Sequence, residues 1–176
     1  GAFSAIKIAM TAMPEMVAIF NGFGGGASAL VASAELFKYL NEKETYLQKL
    51  AEINGDLTIT MITIVISVII GSITFTGSFI AWGKLQGKIS GQPITFPGQN
   101  ILNGFIMVGV LFAGYFFVLS PENMVAFSVL LGIGLLLGIL SVIPIGGADM
   151  PVVISLLNSY SGIAAAATGF VLGNQA

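Results

Sequence analysis

The chain contains no cysteine and no histidine among its 176 residues. These absences exclude disulfides, thiol chemistry and Cys/His metal sites. Without histidine, the side chain that titrates nearest to neutral pH is also missing. Charge is scarce as well: 8% of the residues are charged, and the net charge is −2. Such a chain lacks the basic surface that nucleic acids require, so we expect no nucleic-acid partner.

Apolar residues take the place of the missing charge, at 56% of the sequence. Soluble domains carry about 25% charged residues. A soluble fold of this composition could not cover its surface, so the sequence predicts a membrane protein. The apolar runs are continuous rather than alternating, which argues against a β-barrel, and 23 glycines suit closely packed membrane helices. The predicted fold class is therefore an all-α, polytopic transmembrane helical bundle.

Five segments reach the roughly 20 apolar residues that a membrane span needs. They cover approximately residues 14–34, 57–83, 101–119, 124–143 and 151–172. We expect residues 2–10 to be part of a sixth span at the N-terminus, and the chain to be a piece of a longer protein.

The connecting segments differ in charge. The 35–56 stretch holds five acids, Glu35 among them, and three lysines, and its Tyr39, Leu40, Tyr46, Leu47 and Leu50 predict a short surface helix. The 84–100 loop has Lys84 and Lys88 and no acid. The positive-inside rule places this loop in the cytoplasm. The 144–150 loop is then cytoplasmic too, the 35–56 loop lies outside, and the first and fifth spans run parallel.

A Met-Pro pair is followed by an asparagine at the same offset twice in the chain. In the first copy Asn21 follows Met13-Pro14, and in the second Asn158 follows Met150-Pro151. A buried amide in a span is costly without a partner. Each asparagine is either an interhelical hydrogen bond that holds the bundle or part of a polar transport site. The repeat at matched depth leaves these two interpretations about equal.

The second span carries a stripe of small and polar residues at spacings of three and four. Its members are Thr60, Thr63, Ser67, Gly71, Thr74 and Ser78. These spacings place them on one helix face, and the stripe rises about 27 Å, close to the thickness of the hydrocarbon layer. Packing of small residues and a hydrated pathway both remain open interpretations of the stripe.

Other candidate sites are few. Residues 22–27 formally fit a G-x-G-x-x-A nucleotide motif, but they lie in a membrane span with no preceding strand. The sequence has no Ser/His/Asp set and no Walker loop, so we expect no catalysis by this chain alone. Glu15 and Asp149 sit at predicted helix starts, which favour carboxylates. Asp149 is the better functional candidate because it follows a glycine-containing loop that we expect to be flexible.

Several motifs together resemble one family. Residues 144–153 read PIGGADMPVV and residues 157–162 read LNSYSG. Residues 75–78 read FTGS, residues 83–88 read GKLQGK, and residues 13–18 read MPEMVA. In this order they resemble the transmembrane part of the β subunit of proton-translocating nicotinamide nucleotide transhydrogenase. The 35–56 stretch does not match the family pattern.

The resemblance implies a membrane domain that lies between soluble domains for NAD(H) and NADP(H). Inward proton movement would drive hydride transfer from NADH to NADP⁺. It implies no cofactor in this chain, since both nucleotides belong to the soluble domains of the full enzyme. The expected partners are the lipid bilayer, the α subunit with the NAD(H)-binding domain, the NADP(H)-binding domain of the same subunit, and a second copy of the assembly. The expected location is the inner or cytoplasmic membrane.

The resemblance also suggests roles for single residues. Asn158 and Ser78 match positions linked to proton conduction, and Asp149 matches a gating or coupling aspartate beside the NADP(H)-binding domain. Asn21 falls where many members carry a histidine that is thought to relay the proton. Because asparagine does not titrate, a histidine of a partner chain or ordered water would have to serve instead.

Two other functions remain open from the residues alone. A stand-alone secondary transporter would also use a parallel repeat. A passive membrane anchor would use its asparagines only to hold helices together.

Overall fold

The computed structural model describes residues 12–53 and 55–171, and this part of the chain is helical without strands. Its α-helices are α1 (Met13–Asn41), α2 (Lys43–Glu52), α3 (Leu57–Leu85), α4 (Gln99–Leu119), α5 (Met124–Val142) and α6 (Met150–Val171), with a 3₁₀ turn at Gly147–Asp149 before α6. All of these α-helices except α2 are long and apolar enough to cross a membrane. The prediction of an all-α, multi-pass bundle is confirmed. The expected partial span at residues 2–10 lies outside the described residues.

Helix starts follow local chemistry. Pro14 lies in the first turn of α1, where a missing N–H costs nothing. The carboxylate of Asp56 accepts the backbone N–H of Ile59 at the start of α3. The side chain of Asn123 accepts two backbone N–H groups at the start of α5, each at 3.1 Å. These caps satisfy N–H groups that have no partner within the helix.

Helix α1 is longer than the predicted first span, which ended near residue 34. Helix α1 continues seven residues beyond position 34, so Tyr39 and Leu40 belong to it and not to the surface helix. Helix α2 holds the remaining three residues of that prediction, Tyr46, Leu47 and Leu50. Polar residues suggested an end to the span, but Leu36 and Tyr39 are buried against α3. This packing carries the helix onward.

Helix α3 is the centre of the bundle and packs against α1, α4, α5 and α6. It runs antiparallel to both α1 and α6, because Asn21 near the start of α1 contacts Ser78 near the end of α3, and Ser67 of α3 contacts Thr168 near the end of α6. The two copies of the Met-Pro motif therefore lie on parallel helices, as predicted. The assignment of sides of the membrane stays a prediction.

Glycines allow α1 and α3 to approach closely. A Cβ built at Gly25 would lie 2.8 Å from the carbonyl oxygen of Gly71. A Cβ at Gly71 would lie 2.6 Å from the carbonyl oxygen of Gly25. Only a residue without a side chain fits at this crossing, which is the usual role of glycine between membrane helices. The close approach brings polar side chains on both helices within hydrogen-bonding distance.

Candidate functional site

A hydrogen-bonded cluster joins three helices, near the start of α1 and the end of α3. Asn21 donates from Nδ2 to Oγ of Ser78 at 3.0 Å. The Oγ atom of Ser161 lies 2.6 Å from Oδ1 of Asn21 and 2.8 Å from the backbone carbonyl of Asn158, so one hydroxyl proton serves two acceptors. Asn21 is 5% exposed and Ser78 is fully buried. Both ends of the buried amide thus have partners, which offsets the cost of placing it in the bundle.

The cluster belongs to a longer line of polar residues where α1, α3 and α6 meet. We call this line the polar seam. It consists of Asn21, Ser28 and Glu35 of α1, Thr60, Ser67, Thr74 and Ser78 of α3, and Ser161 and Thr168 of α6. All of these residues are buried except Ser161, which is half-buried. The three α1 members are spaced by seven residues, which keeps them on one helix face.

A second polar contact lies further along the seam. Oγ1 of Thr168 is 3.4 Å from Oγ of Ser67 and also donates to the carbonyl of Ala164 at 2.8 Å. Ser67 is eleven residues from Ser78, which corresponds to about 16 Å along α3. The seam thus contains two separate interhelical contacts.

Thr74 occupies the space between these two contacts. It is fully buried, and its hydroxyl has no hydrogen-bond partner among the described residues. A buried hydroxyl without a partner costs about 1–3 kcal/mol. Buried polar groups of this kind are where structural water binds in proteins. The protein's own side chains therefore do not form a continuous hydrogen-bonded chain through the seam.

The predicted stripe on α3 divides into two kinds of residue. Ser67 and Ser78 bond to other helices. The hydroxyls of Thr60 and Thr63 donate to carbonyls of the same chain segment, at Asp56 and Thr60. These local hydrogen bonds fit the packing interpretation, and Thr63 is only half-buried. The hydrated pathway stays a prediction for both threonines.

The side chain of Asn158 is exposed and lies outside the seam. Only its backbone carbonyl contacts the cluster, through Ser161. Asn21 and Asn158 have the same offset from Met-Pro, but their surroundings differ. Ser161, one turn after Asn158, occupies the position beside Asn21. The role of Asn158 in proton conduction stays a prediction.

Sequence reasoning missed the two seam residues of α6, Ser161 and Thr168. The signal was present in the spacing of α6. Leu157, Ser161, Ala164 and Thr168 are separated by four, three and four residues, which places them on one helix face, and all but Ser161 are buried. This periodicity, rather than the repeated motif, identifies the face of α6 that turns toward α1 and α3.

A buried lysine organises one end of the bundle. Lys84 is 4% exposed, and its Nζ donates to the carbonyls of Ile143 at 2.6 Å, Ile145 at 2.7 Å and Gln92 at 3.3 Å. Two of these carbonyls follow α5, where the negative end of the helix dipole favours a cation. We call Lys84 and these carbonyls the lysine clamp. It joins the end of α3 to both loops at this end of the bundle.

The loop before α6 is less free than the sequence suggested. Besides the lysine clamp, the N–H of Gly147 donates to the carbonyl of Gly91 at 2.8 Å. Asp149 closes the 3₁₀ turn at the start of α6 and is exposed. The candidate coupling aspartate therefore lies on the surface, on a loop that is tied to its neighbour.

An exposed ion pair lies at the opposite end. Nζ of Lys43 is 2.6 Å from Oε1 of Glu122, and joins α2 to the turn between α4 and α5. The hydrogen bond from Lys43 lowers the pKa of the Glu122 carboxyl, and the same bond raises the pKa of Lys43. Because both groups are fully exposed, solvent weakens the pair.

The interhelical contacts of the seam are made by hydroxyl and amide groups. The described residues hold no group of three His, Cys, Asp or Glu side chains that could bind a metal ion. Buried hydroxyl and amide groups between membrane helices serve either interhelical hydrogen bonding or a polar transport path.

Comparison with known proteins assigns the family. The profile of the NAD(P) transhydrogenase beta subunit family matches residues 1–176. The chain belongs to this family. It is 44% identical over 174 residues to the NAD(P) transhydrogenase subunit beta of Rhodospirillum rubrum, and the alignment covers 99% of this chain and 36% of that protein. A second protein of that name, from a strain of the same organism, gives the same identity and coverage. The chain thus spans about a third of the length of these relatives.

Proposed function

We propose that the chain forms the proton-translocating membrane domain of an NAD(P) transhydrogenase, and that protons cross it along the polar seam. Inward proton movement would drive hydride transfer from NADH to NADP⁺. The observation that carries the proposal is the cluster of Asn21, Ser78 and Ser161, a buried polar contact of three helices at the centre of a bundle from this family.

The chemistry of the seam fits conduction better than tight binding. Amide and hydroxyl groups both donate and accept hydrogen bonds, so they support a chain of water molecules without holding a proton. The hydroxyl of Thr74 has no hydrogen-bond partner within residues 12–53 and 55–171, and it lies between the two polar contacts. A file of several water molecules along this stretch, one of them bound to Thr74, would connect the two contacts, and a seam that takes up and loses these waters would conduct only in some states of the enzyme.

The coupling of proton movement to the nucleotides is proposed at the end of the bundle that holds the lysine clamp. There, Asp149 and the lysine clamp would face the NADP(H)-binding domain of the same subunit, on the cytoplasmic side. The family resemblance adds Asn158 to the path, with its exposed face covered in the full assembly. The α subunit, the NAD(H)-binding domain and a second copy would complete the enzyme in the cytoplasmic membrane.

Two serines on α6 test the proposal with the same chemical change. Ser161→Ala removes a hydroxyl from the seam, whereas Ser159→Ala removes an exposed hydroxyl that donates to Ser155 of the same helix. The full enzyme would be reconstituted in vesicles, and proton movement would be measured together with hydride transfer. We expect Ser161→Ala to lower proton movement about tenfold, the equivalent of roughly 1.4 kcal/mol, and Ser159→Ala to leave it unchanged.

Equal proton movement in the two variants and the wild type would contradict conduction along the seam. Wild-type vesicles that transfer hydride from NADH to NADP⁺ without moving protons would contradict the proposed function as a whole.

A further inference from the structure

Two charged side chains are buried in the part of the chain that the structure describes, Lys84 and Glu35. Lys84 belongs to the lysine clamp, where three carbonyls satisfy its donors. Glu35 is 7% exposed and is the one buried acid of this part. The sequence suggested that Glu35 begins a polar loop, but it lies inside α1. An ionisable residue buried within a membrane helix is a candidate for function, because its burial is costly.

The position of Glu35 continues the seam. Asn21, Ser28 and Glu35 follow one another at intervals of seven residues on the buried face of α1. Fourteen residues separate Glu35 from Asn21, which is about 21 Å along the helix. Asn21 lies level with Ser78 on the antiparallel helix α3, so Glu35 lies level with residue 64, between Thr60 and Ser67. Glu35 is therefore at the end of the seam that is remote from the lysine clamp.

Glu35 also lies near the boundary of the membrane. It is 22 residues from the start of α1, about 33 Å along the axis, which exceeds the roughly 30 Å of the hydrocarbon layer. Its Oε1 atom is 2.5 Å from Nζ of Lys38, whose side chain is 64% exposed while that of Glu35 is 9% exposed. The carboxylate is thus buried on one side and reaches an exposed cation on the other.

The surroundings of the carboxylate include one phenol. Burial raises the pKa of Tyr46 of α2, and the negative charge of Glu35 raises it further. The ring of Tyr46 also packs edge-to-face against that of Tyr39, four residues after Glu35 on α1, with the ring centroids 5.7 Å apart, so α2 lies beside this end of α1. Glu35 thus has an exposed cation on one side, and along the bundle it lies level with the stretch of α3 between the hydroxyls of Thr60 and Ser67.

We propose that Glu35 is the titratable group of the seam and passes protons between outside water and the seam hydroxyls. This inference rests on the proposed function. An O–H bond forms on the carboxylate as an O–H bond of a hydronium ion breaks and leaves water, and the new bond breaks in turn when the proton moves on to an oxygen in the seam. No electron is transferred, and the carboxylate is restored. Glu35 thus supplies the titration that Asn21 cannot, and Lys38 stabilises the ionised form between transfers.

A merely structural ion pair predicts something different. If Glu35 served only to hold Lys38, then Lys38→Gln and Glu35→Gln would have the same effect, since each removes the pair. If Glu35 carries the proton, Lys38→Gln keeps the carboxyl group and Glu35→Gln does not. Glu35→Asp keeps a titratable group on a shorter side chain. Glu44→Gln makes the same chemical change as Glu35→Gln at an exposed position on α2.

The four variants would be made in the full enzyme, reconstituted in vesicles beside the wild type. Proton movement would be measured at steady state, and hydride transfer between bound nucleotides would be measured in a single turnover. We expect Glu35→Gln to lower proton movement at least tenfold while single-turnover hydride transfer stays within twofold. Glu35→Asp should recover part of the loss, Lys38→Gln should stay within about threefold of the wild type, and Glu44→Gln should match it.

Proton movement within twofold of the wild type in Glu35→Gln would overturn the inference, and so would equal losses in Glu35→Gln and Lys38→Gln. Both results leave the proposed function intact, because the wild type would still move protons. If Glu35→Gln does not assemble, infrared difference spectra of the wild type and Glu35→Asp test whether the carboxyl group of Glu35 changes its protonation. A carboxyl band that changes with the proton gradient and shifts in Glu35→Asp supports the role, and the absence of such a band refutes it.

Discussion

Replacing Gly71 by alanine tests how tightly α1 and α3 close the seam. The added Cβ would lie 2.6 Å from the carbonyl oxygen of Gly25 and 3.0 Å from the nitrogen of Ala29, and both are backbone atoms. Ordinary contact begins at 3.4 Å. Since a backbone cannot rotate away as a side chain can, α1 must move by about 0.8 Å, the difference between contact distance and 2.6 Å.

The size of the effect follows from this displacement. Overpacking of this kind costs about 1–3 kcal/mol, and the better helix propensity of alanine returns up to about 1 kcal/mol. We expect a net loss of stability of about 1–2 kcal/mol. If the helices separate as rigid rods, the distance from Nδ2 of Asn21 to Oγ of Ser78 grows from 3.0 Å to about 3.8 Å, which is beyond hydrogen-bonding range. Proton movement should therefore fall as well.

Gly132→Ala is the matched control, because nothing lies within 4 Å of a Cβ built at Gly132 on α5. Thermal unfolding of the full enzyme in detergent and proton movement in vesicles would be compared for both variants. Gly71→Ala should lower both, and Gly132→Ala should lower neither. If the two variants are equally stable and equally active, the close crossing of α1 and α3 does not hold the seam together.

Three further predictions concern the two ends of the bundle. Lys84→Met should destabilise the enzyme by about 1.5–3 kcal/mol, because it removes charged hydrogen bonds, and it should speed proteolysis of the 84–100 loop. Lys88→Met loses only a contact with an aromatic ring and should show neither effect. Asp149→Asn should uncouple hydride transfer from proton movement more than it reduces assembly, measured in the same vesicles; normal coupling in an assembled variant would refute this role. Because the pKa of Glu122 is lowered, its ion pair with Lys43 stabilises the fold above the unfolded-state pKa of the carboxyl, and this stabilisation is lost as pH falls through the lowered pKa. Because the pKa of Lys43 is raised, the stabilisation is also lost as pH rises through that raised pKa. Unfolding temperatures of Glu122→Gln should therefore match the wild type at acid pH and be slightly lower at neutral pH, and an equal difference at both would contradict the assignment.

The five spans could be predicted from hydropathy because a membrane helix must be apolar over a fixed length. The end of α1 could not. A charged residue normally marks the end of a span, but Glu35 is buried between helices, and α1 continues through Tyr39 and Asn41. Whether a polar residue ends a helix or joins a polar contact depends on its neighbours in three dimensions, which hydropathy does not include.

The site was predictable in part. The spacing on α3 and the family motifs indicated Ser78, and the structure sets it beside Asn21. The repeat suggested that Asn158 would occupy the equivalent position, but parallel helices with the same motif need not be rotated equally. The rotation of α6 is set by the packing of Leu157 and Ala164, which turns Ser161 toward Asn21. Periodicity of the buried face, and not identity of motif, determines which side chain enters the seam.

The central claim is that protons pass along the polar seam, and the double variant Asn21→Leu/Ser78→Ala tests it most directly. Replacing both partners of a buried hydrogen bond by apolar groups leaves no polar atom of the pair unpaired, so stability should change little. Ser161 keeps its contact with the carbonyl of Asn158. Protons moved and hydride transferred would be counted in the same vesicles. The account predicts an assembled enzyme that transfers hydride in a single turnover but moves protons at least tenfold more slowly. Proton movement at the wild-type rate in that enzyme would contradict it.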